Sequence, residues 1–350
     1  MSADSRNDVT ACIKAKHVGT GCSGAGSGAH GTCDELHVVL GASGGSGGAL
    51  VRELAARGRR VRAVGRRPAD DLPHGVEALS ADLNDPVQTA RAVDGATVVY
   101  HAVQPDYTRW LRDFPDLTRG IMKASAAAGA RLVFADNLYM YAPDDEALRE
   151  TSAIGSPAAK GRLRAAMAEE LLDAHRSGRA RVVIARSSDY YGPGGTGSFT
   201  GERFFKALLS GRKVAWMADL DEPHTLSYLP DIARALAILG ERPEGDGRVW
   251  HLPAAEALTG RRFIELAACV AGVEPRMSVI TPGQLRLVGL FSPFLRQMPE
   301  LLYQWQRPFV SDASAFQATF GPFAVTPHEE ALRTTIEWYR ENLELLHMAA

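Results

Sequence analysis

From Leu36 onward the chain alternates short apolar runs with longer segments that are apolar on one side only. Residues 37–40 are a short apolar run. Leu50, Val51 and Leu54 then recur at helical spacing. Residues 59–64 alternate as a second strand, and a third short strand ends at Asp82. Asp85-Pro86 opens a helix to Val93, with Pro86 suited to a first helical position. Residues 96–101 form a continuous apolar run, as a strand covered on both faces requires. A helix is expected over 117–128, closed by Gly129, and a strand over 131–135. Strand and helix alternating over short links predict an α/β fold with a doubly wound parallel sheet.

Beyond Tyr141 the pattern loosens. Residues 143–157 read as loop, 160–175 as helix and 181–185 as a buried strand. A glycine-rich loop spans 192–197. Helices are expected at 202–209 and 230–239, and a strand at 249–252. The last third is mixed and mostly helical, ending in an amphipathic helix over 327–346. The expected organisation is a flexible leader, 1–34, that is dispensable for folding. A Rossmann-type domain follows from 35–191 plus 226–252. A smaller, mostly helical substrate lobe is built from 192–225 plus 253–350.

Composition narrows the function classes. A net charge of -2 over 350 residues gives no reason to expect nucleic acid or an anionic membrane as partner. No apolar run approaches the ~20 residues that span a bilayer, so a cytoplasmic location is the default expectation. Cys12, Cys22 and Cys33 lie in a Gly/Ser-rich leader without any CxxC pair, and no metal site is expected. Cys269 sits in an apolar helical run and reads as a core residue. A small molecule is the expected partner, with a homodimer left open.

The strongest chemical signal is Gly41-Ala42-Ser43-Gly44-Gly45-Ser46-Gly47, between the first strand and an amphipathic helix. A sharp strand-to-helix turn needs residues free to take positive φ. A pyrophosphate can rest on a helix N-terminus only where no side chain covers the backbone N–H groups. In that context the spacing predicts a dinucleotide site on Gly41, Ser43, Gly44, Gly45, Ser46 and Gly47.

Several stretches, in order, resemble the extended short-chain dehydrogenase/reductase superfamily, in its epimerase/dehydratase-like branch. They are the glycine motif, Asp82-Leu83, the run from Tyr100 to Pro105, the run from Arg186 to Gly195, the run from Leu229 to Ala233, and Glu337-Trp338-Tyr339. The resemblance implies a nicotinamide cofactor held by the glycines, by Asp82 and Leu83, and by Ala102, Val103 and Gln104. Where an NAD-binding member carries an acid after the second strand, this chain has Arg66 and Arg67. Their guanidiniums suit a 2′-phosphate and point to NADP(H) over NAD.

The family's catalytic set is a Ser or Thr followed by Tyr-x-x-x-Lys. Here the Ser/Thr position holds Asn137, and no tyrosine occurs between Ala142 and Asp189. Tyr139 is the substitute proton donor that the sequence offers, with Asn137 as polariser. Lys160 is the charge expected to bind ribose and lower the tyrosine pKa. His101, Tyr139, Arg164 and His224 are candidates to face substrate. Lys160 reads equally as a surface lysine at the helix start, Arg164 reads first as a residue of a solvated face, and Trp216, Trp250 and Trp305 read as core. Three readings stay open: a reductase of a carbonyl or activated C=C with a non-standard donor, a non-redox isomerase, lyase or cyclase, and a non-catalytic NADP sensor.

Overall fold

The computed structural model describes residues 35–67, 71–288, 290 and 296–348. The expected leader lies outside them. A parallel seven-stranded sheet forms the centre. Its strands are β1 (Leu36–Leu40), β2 (Arg60–Gly65), β3 (Glu77–Ser80), β4 (Val98–His101), β5 (Arg131–Asp136) and β6 (Arg181–Arg186), with Val249–His251 as the last. The order across the sheet is β3-β2-β1-β4-β5-β6 and then 249–251. Strand order reverses between β1 and β4, and in such sheets ligands bind outside the carboxyl ends at that point. Val38, Val39, Val99, Leu132, Val133, Val183 and Ile184 are all fully buried, because helices cover both faces.

One face carries α2 (Pro86–Val93), α3 (Trp110–Ala127) and α4 (Ala159–Arg176). The other carries α1 (Gly45–Ala56) and the helix Leu229–Glu241. Asp85 caps α2 by accepting the N–H groups of Val87 and Gln88, with Pro86 at the first position. The helix expected from 117 begins at Trp110, seven residues earlier. Pro115 lies only in its second turn, after a 3₁₀ turn at Tyr107–Arg109, and Trp110 and Phe114 are buried beneath it. The early turns are thus fixed by packing that no sequence period announces.

The smaller lobe has its own core, with Phe204, Phe205, Trp216, Phe263, Ile264, Leu332 and Tyr339 at its centre. It is less purely helical than expected. Val214–Met217 pairs in parallel with Met277–Ile280, Pro223–His224 pairs with Leu258–Thr259, and Asp189–Tyr191 pairs with Leu226–Tyr228. Phe316, Phe320 and Phe323, expected in the lobe, pack instead with Leu236, Leu239 and Trp250 on the sheet side. Cys269 is exposed, which corrects the core reading. No described helix is long and apolar enough to cross a membrane.

Burial holds His37, His101, His251 and His328 below their ordinary value, as neutral imidazoles. Burial pushes His37 down to about 4, and His101 and His251 down to about 3, from an ordinary 6.5. The native state therefore binds fewer protons than the unfolded chain below about pH 6.5. The stability this confers is present above that pH and is lost as pH falls toward 4 and then 3. We expect the melting temperature to fall through this window. His101→Asn should cost stability at neutral pH and show a shallower acid loss than wild type. Parallel melting-temperature profiles for the two proteins would exclude this account.

Candidate active site

The glycine motif forms the turn from β1 into α1. Gly41 has φ +88°, and a Cβ there would lie 2.9 Å from the Ala102 carbonyl carbon and oxygen. A Cβ on Gly47 would meet the Gly41 oxygen at 2.2 Å. Only glycine allows strand, turn and helix to pass this closely. Ser43 and Gly44 are exposed, and Gly44 caps α1 with no side-chain hydrogen bond over the helix end. The first N–H groups of α1 are thus left open to an anion, so the cradle fits a dinucleotide pyrophosphate. Arg66 and Arg67 are exposed just past β2. Asp82 is exposed after β3. The Asn84 backbone N–H and side-chain amide, with Arg66 nearby, hold its carboxyl below the usual range. Leu83 is buried beside it, and Ala102 and Val103 are half-buried past β4.

From Ser46 a cavity of about 840 Å³ runs across the carboxyl ends of β4, β5 and β6 into the smaller lobe. Its sheet side carries Gln104, Tyr107, Asp136, Asn137, Tyr139, Ser187, Ser188 and Asp189. Its lobe side is aromatic and aliphatic, with Phe199, Phe204, Met217, Met298, Trp305 and Phe309. Arg203 and Lys213 are exposed residues of the lining.

Asn137 and Tyr139 stand together as the sequence suggests. The Asn137 Oδ1 accepts the Tyr139 backbone N–H at 3.1 Å, which fixes the turn and leaves the amide nitrogen as a donor. The Tyr139 hydroxyl is pushed well above its ordinary value, first by burial and then by the Asp189 charge.

The basic residues of α4 lie elsewhere than expected. Lys160 is buried and donates to Glu300 Oε1 at 3.0 Å and to Gln297, with the Tyr107 ring 4.1 Å beneath it. It does not line the cavity, and its charge is answered by Glu300 instead of tuning Tyr139. Arg164, one turn on, is fully buried rather than facing substrate or solvent. Its Nε lies 3.3 Å from Asp136 Oδ1, and its guanidinium stacks among Trp110, Phe114 and Phe134. His101 is also withdrawn from substrate. As the last residue of β4 it turns toward α3, bonds Thr118 at 3.1 Å and packs on Phe114 and Phe134. His224 sits behind the cavity wall, bonded through Nε2 to Asp189 at 2.9 Å and stacked on Trp305.

Other members of this region escaped the sequence reading. Asp136 holds Arg164 on one oxygen and Arg186 on the other, at 3.0 Å. Arg186 donates to the Tyr141 hydroxyl, which meets His251 at 2.7 Å. The arginines signalled charge, but nothing local revealed the shared carboxylate. Trp305 is buried as expected, yet it is also a wall of the cavity. The Tyr303 hydroxyl donates to the Tyr139 carbonyl at 3.1 Å, tying the lobe to the candidate donor.

The sequence model of the NAD dependent epimerase/dehydratase family matches residues 37–252. The chain belongs to that family. Members of that family use nicotinamide cofactors. The fold is also that of the epimerase Mth375 from Methanothermobacter thermautotrophicus, with TM-score 0.76 and 16% identity over 90% of this chain and 95% of that one. MoeE5, solved with UDP-glucuronic acid and NAD, gives 0.71 and 24% over 88% and 99%. DesIV, a dTDP-glucose 4,6-dehydratase from Streptomyces venezuelae solved with NAD and TYD, gives 0.71 and 17% over 89% and 98%. Comparison with curated proteins returns no match.

Asp136 compensates two buried guanidiniums, so Asp136→Asn should leave both short of a counter-charge. We expect a loss of about 3–5 kcal/mol in denaturant unfolding, the usual cost of breaking a buried pair from one side. A midpoint equal to wild type would show that water or another group compensates Arg164 and Arg186.

Proposed function

We propose that the chain is an NADP(H)-dependent oxidoreductase acting on a carbonyl or activated C=C of a small, largely apolar molecule. The observation that carries this reading is the continuity of the open cradle at α1 with an aromatic-walled cavity whose sheet side presents Asn137 and Tyr139. The bound cofactor would supply or accept hydride. The chain's own groups bind, orient and move the proton.

The backbone N–H of Ser43 and those from Gly45 to Gly47 suit the pyrophosphate, while the Gly44 N–H is held by the Gly41 carbonyl. Arg66 and Arg67, which follow β2 directly where an NAD-binding chain would carry an acid, suit a ribose phosphate and favour NADP(H). Ala102, Val103 and Gln104 continue the wall past β4, and Gln104 itself lines the cavity. The Asn137 amide can polarise a substrate oxygen, and the Tyr139 hydroxyl can protonate it. A raised tyrosine pKa keeps that proton in place in the resting site. It still leaves tyrosine a competent acid toward a developing alkoxide or enolate. Trp305, Phe199 and Phe309 exclude water from that step. The absence of a tyrosine on α4 is what favours the second reading, a non-redox lyase or isomerase built on the same cradle.

Calorimetric titration should show tighter NADP than NAD binding, with the preference reduced or reversed in Arg66→Asp. Tighter NAD binding by wild type would reject the cofactor assignment. With aryl and alkyl ketones and enones as probes, deuterium from 4-labelled NADPH should enter product stereospecifically. Tyr139→Phe should retain NADP affinity and lose about 10²-fold in turnover. Product formed without label or net cofactor oxidation would favour the non-redox reading instead.

A further inference from the structure

The lobe side of the cavity takes much of its lining from two neighbouring elements, and each brings one cation to it. The helix Glu202–Leu209 contributes Arg203, Phe204 and Ala207. The strand Val214–Met217 contributes Ala215 and Met217, with Lys213 just ahead of it. Residues 213, 215 and 217 have the spacing of one strand face, while Val214 and Trp216 between them are buried in the lobe core. Ile280, Leu285, Met298 and Leu301 add only hydrocarbon and thioether surface. Arg203 and Lys213 are both exposed, and among the described residues neither has an ion-pair partner. Glu202 also lines the cavity, but Lys206 one turn on holds its Oε1 at 2.6 Å.

The carboxylates of the lining other than Glu202 belong to the sheet side. Asp136 faces Arg164 and Arg186, and Asp189 bonds His224 Nε2 at 2.9 Å. Charge is therefore distributed unevenly along the cavity. Carboxylates stand near Asn137 and Tyr139, apolar wall follows, and uncommitted cations stand on the lobe side. No step described above uses those cations.

We infer that the substrate is an amphipathic anion: a ketone or enone on an apolar body that ends in a carboxylate, held by Arg203 and Lys213. This rests on the reductase reading above and names its substrate class. The planar fork of Arg203 can take both carboxylate oxygens, and Lys213 adds a point charge. The body between carbonyl and carboxylate has to be apolar. Hydroxyls set against Ala207, Ala215, Ile280 and Leu285 would lose water without gaining a partner. The same distribution of charge sets the direction of binding. A carboxylate is repelled from Asp189 and drawn to the lobe side, which leaves the carbonyl beside Asn137 and Tyr139. An anion so far from the reacting carbon is gripped equally before and during hydride transfer, so its effect falls on KM more than on kcat. Arg203 and Lys213 are binding residues, and neither is required to touch the reacting atoms.

The first test uses the full chain and needs no turnover. With NADP present, calorimetry should show phenylhexanoate binding about tenfold tighter than its primary amide, the scale for two exposed cations acting together. Arg203→Gln and Lys213→Gln should each cut that preference by about threefold, and the double variant should abolish it. Arg212→Gln removes an exposed cation beside Lys213 that does not line the cavity, and should leave the preference unchanged. With NADPH, ω-benzoylpentanoate should show a lower KM than its amide at similar kcat, and the double variant should bring the two together. Equal binding of acid and amide by wild type overturns the anion subsite. So does a loss in Arg212→Gln as large as in Arg203→Gln and Lys213→Gln. UDP-glucose bound more tightly than phenylhexanoate overturns the apolar body. Deuterium transfer into the ketone probes with no preference for the acid overturns the substrate class alone. Preference for the acid in calorimetry, without deuterium transfer into any ketone, supports the anion subsite and overturns the reductase reading.

Discussion

Asp136 is the point on which the site turns. It sits at the carboxyl end of β5, and its two oxygens hold Arg164 from α4 and Arg186 from β6. Two guanidiniums enter a nearly dry interior because one carboxylate faces both. Isolated buried charges are costly, so each partner constrains the others. The chain of contacts continues from Arg186 through Tyr141 and His251 to Ser311. One carboxylate thereby links the sheet, the helix above it and the returning C-terminal segment. It also forms part of the cavity floor, so the site and the ionic core share a wall.

The fold was legible wherever a local rule decided it. Asp85-Pro86 announced the start of α2, and the apolar run over 96–101 announced a strand covered on both faces. The glycine motif announced a close passage that the Gly41–Ala102 and Gly47–Gly41 contacts require. Local rules fell short where distant residues decided the outcome. The early start of α3 depends on burial of Trp110 and Phe114. The placement of Phe316 and Phe320 depends on their meeting Trp250.

The same division holds in the site. Asn137 and Tyr139 are two apart just past the end of β5, and a local turn, with the Asn137 Oδ1 accepting the Tyr139 N–H, sets them side by side. Lys160 and Arg164 share one face of α4, which spacing shows. Spacing could not show that Glu300, 140 residues on, would claim the lysine, or that Asp136 would claim the arginine. His101 went inward because its strand position faces α3. The partner of Asp189 lay 35 residues away across a different pair of strands.

The clamp on the start of α4 has a consequence for traffic. Glu300 accepts both the Ala159 N–H and Lys160, while Tyr303 bridges Ser156 and the Tyr139 carbonyl. Parting the lobe from this helix would strand a buried ammonium, so the seam there is a poor doorway. Exposed residues of the cavity lining lie elsewhere, at Gln104 past β4 and at Arg203 and Lys213 in the smaller lobe. On the function proposed above, a small molecule arriving past those two cations would not have to wait for a dinucleotide to leave the cradle end. An anionic substituent on the incoming molecule would then speed its capture at low ionic strength.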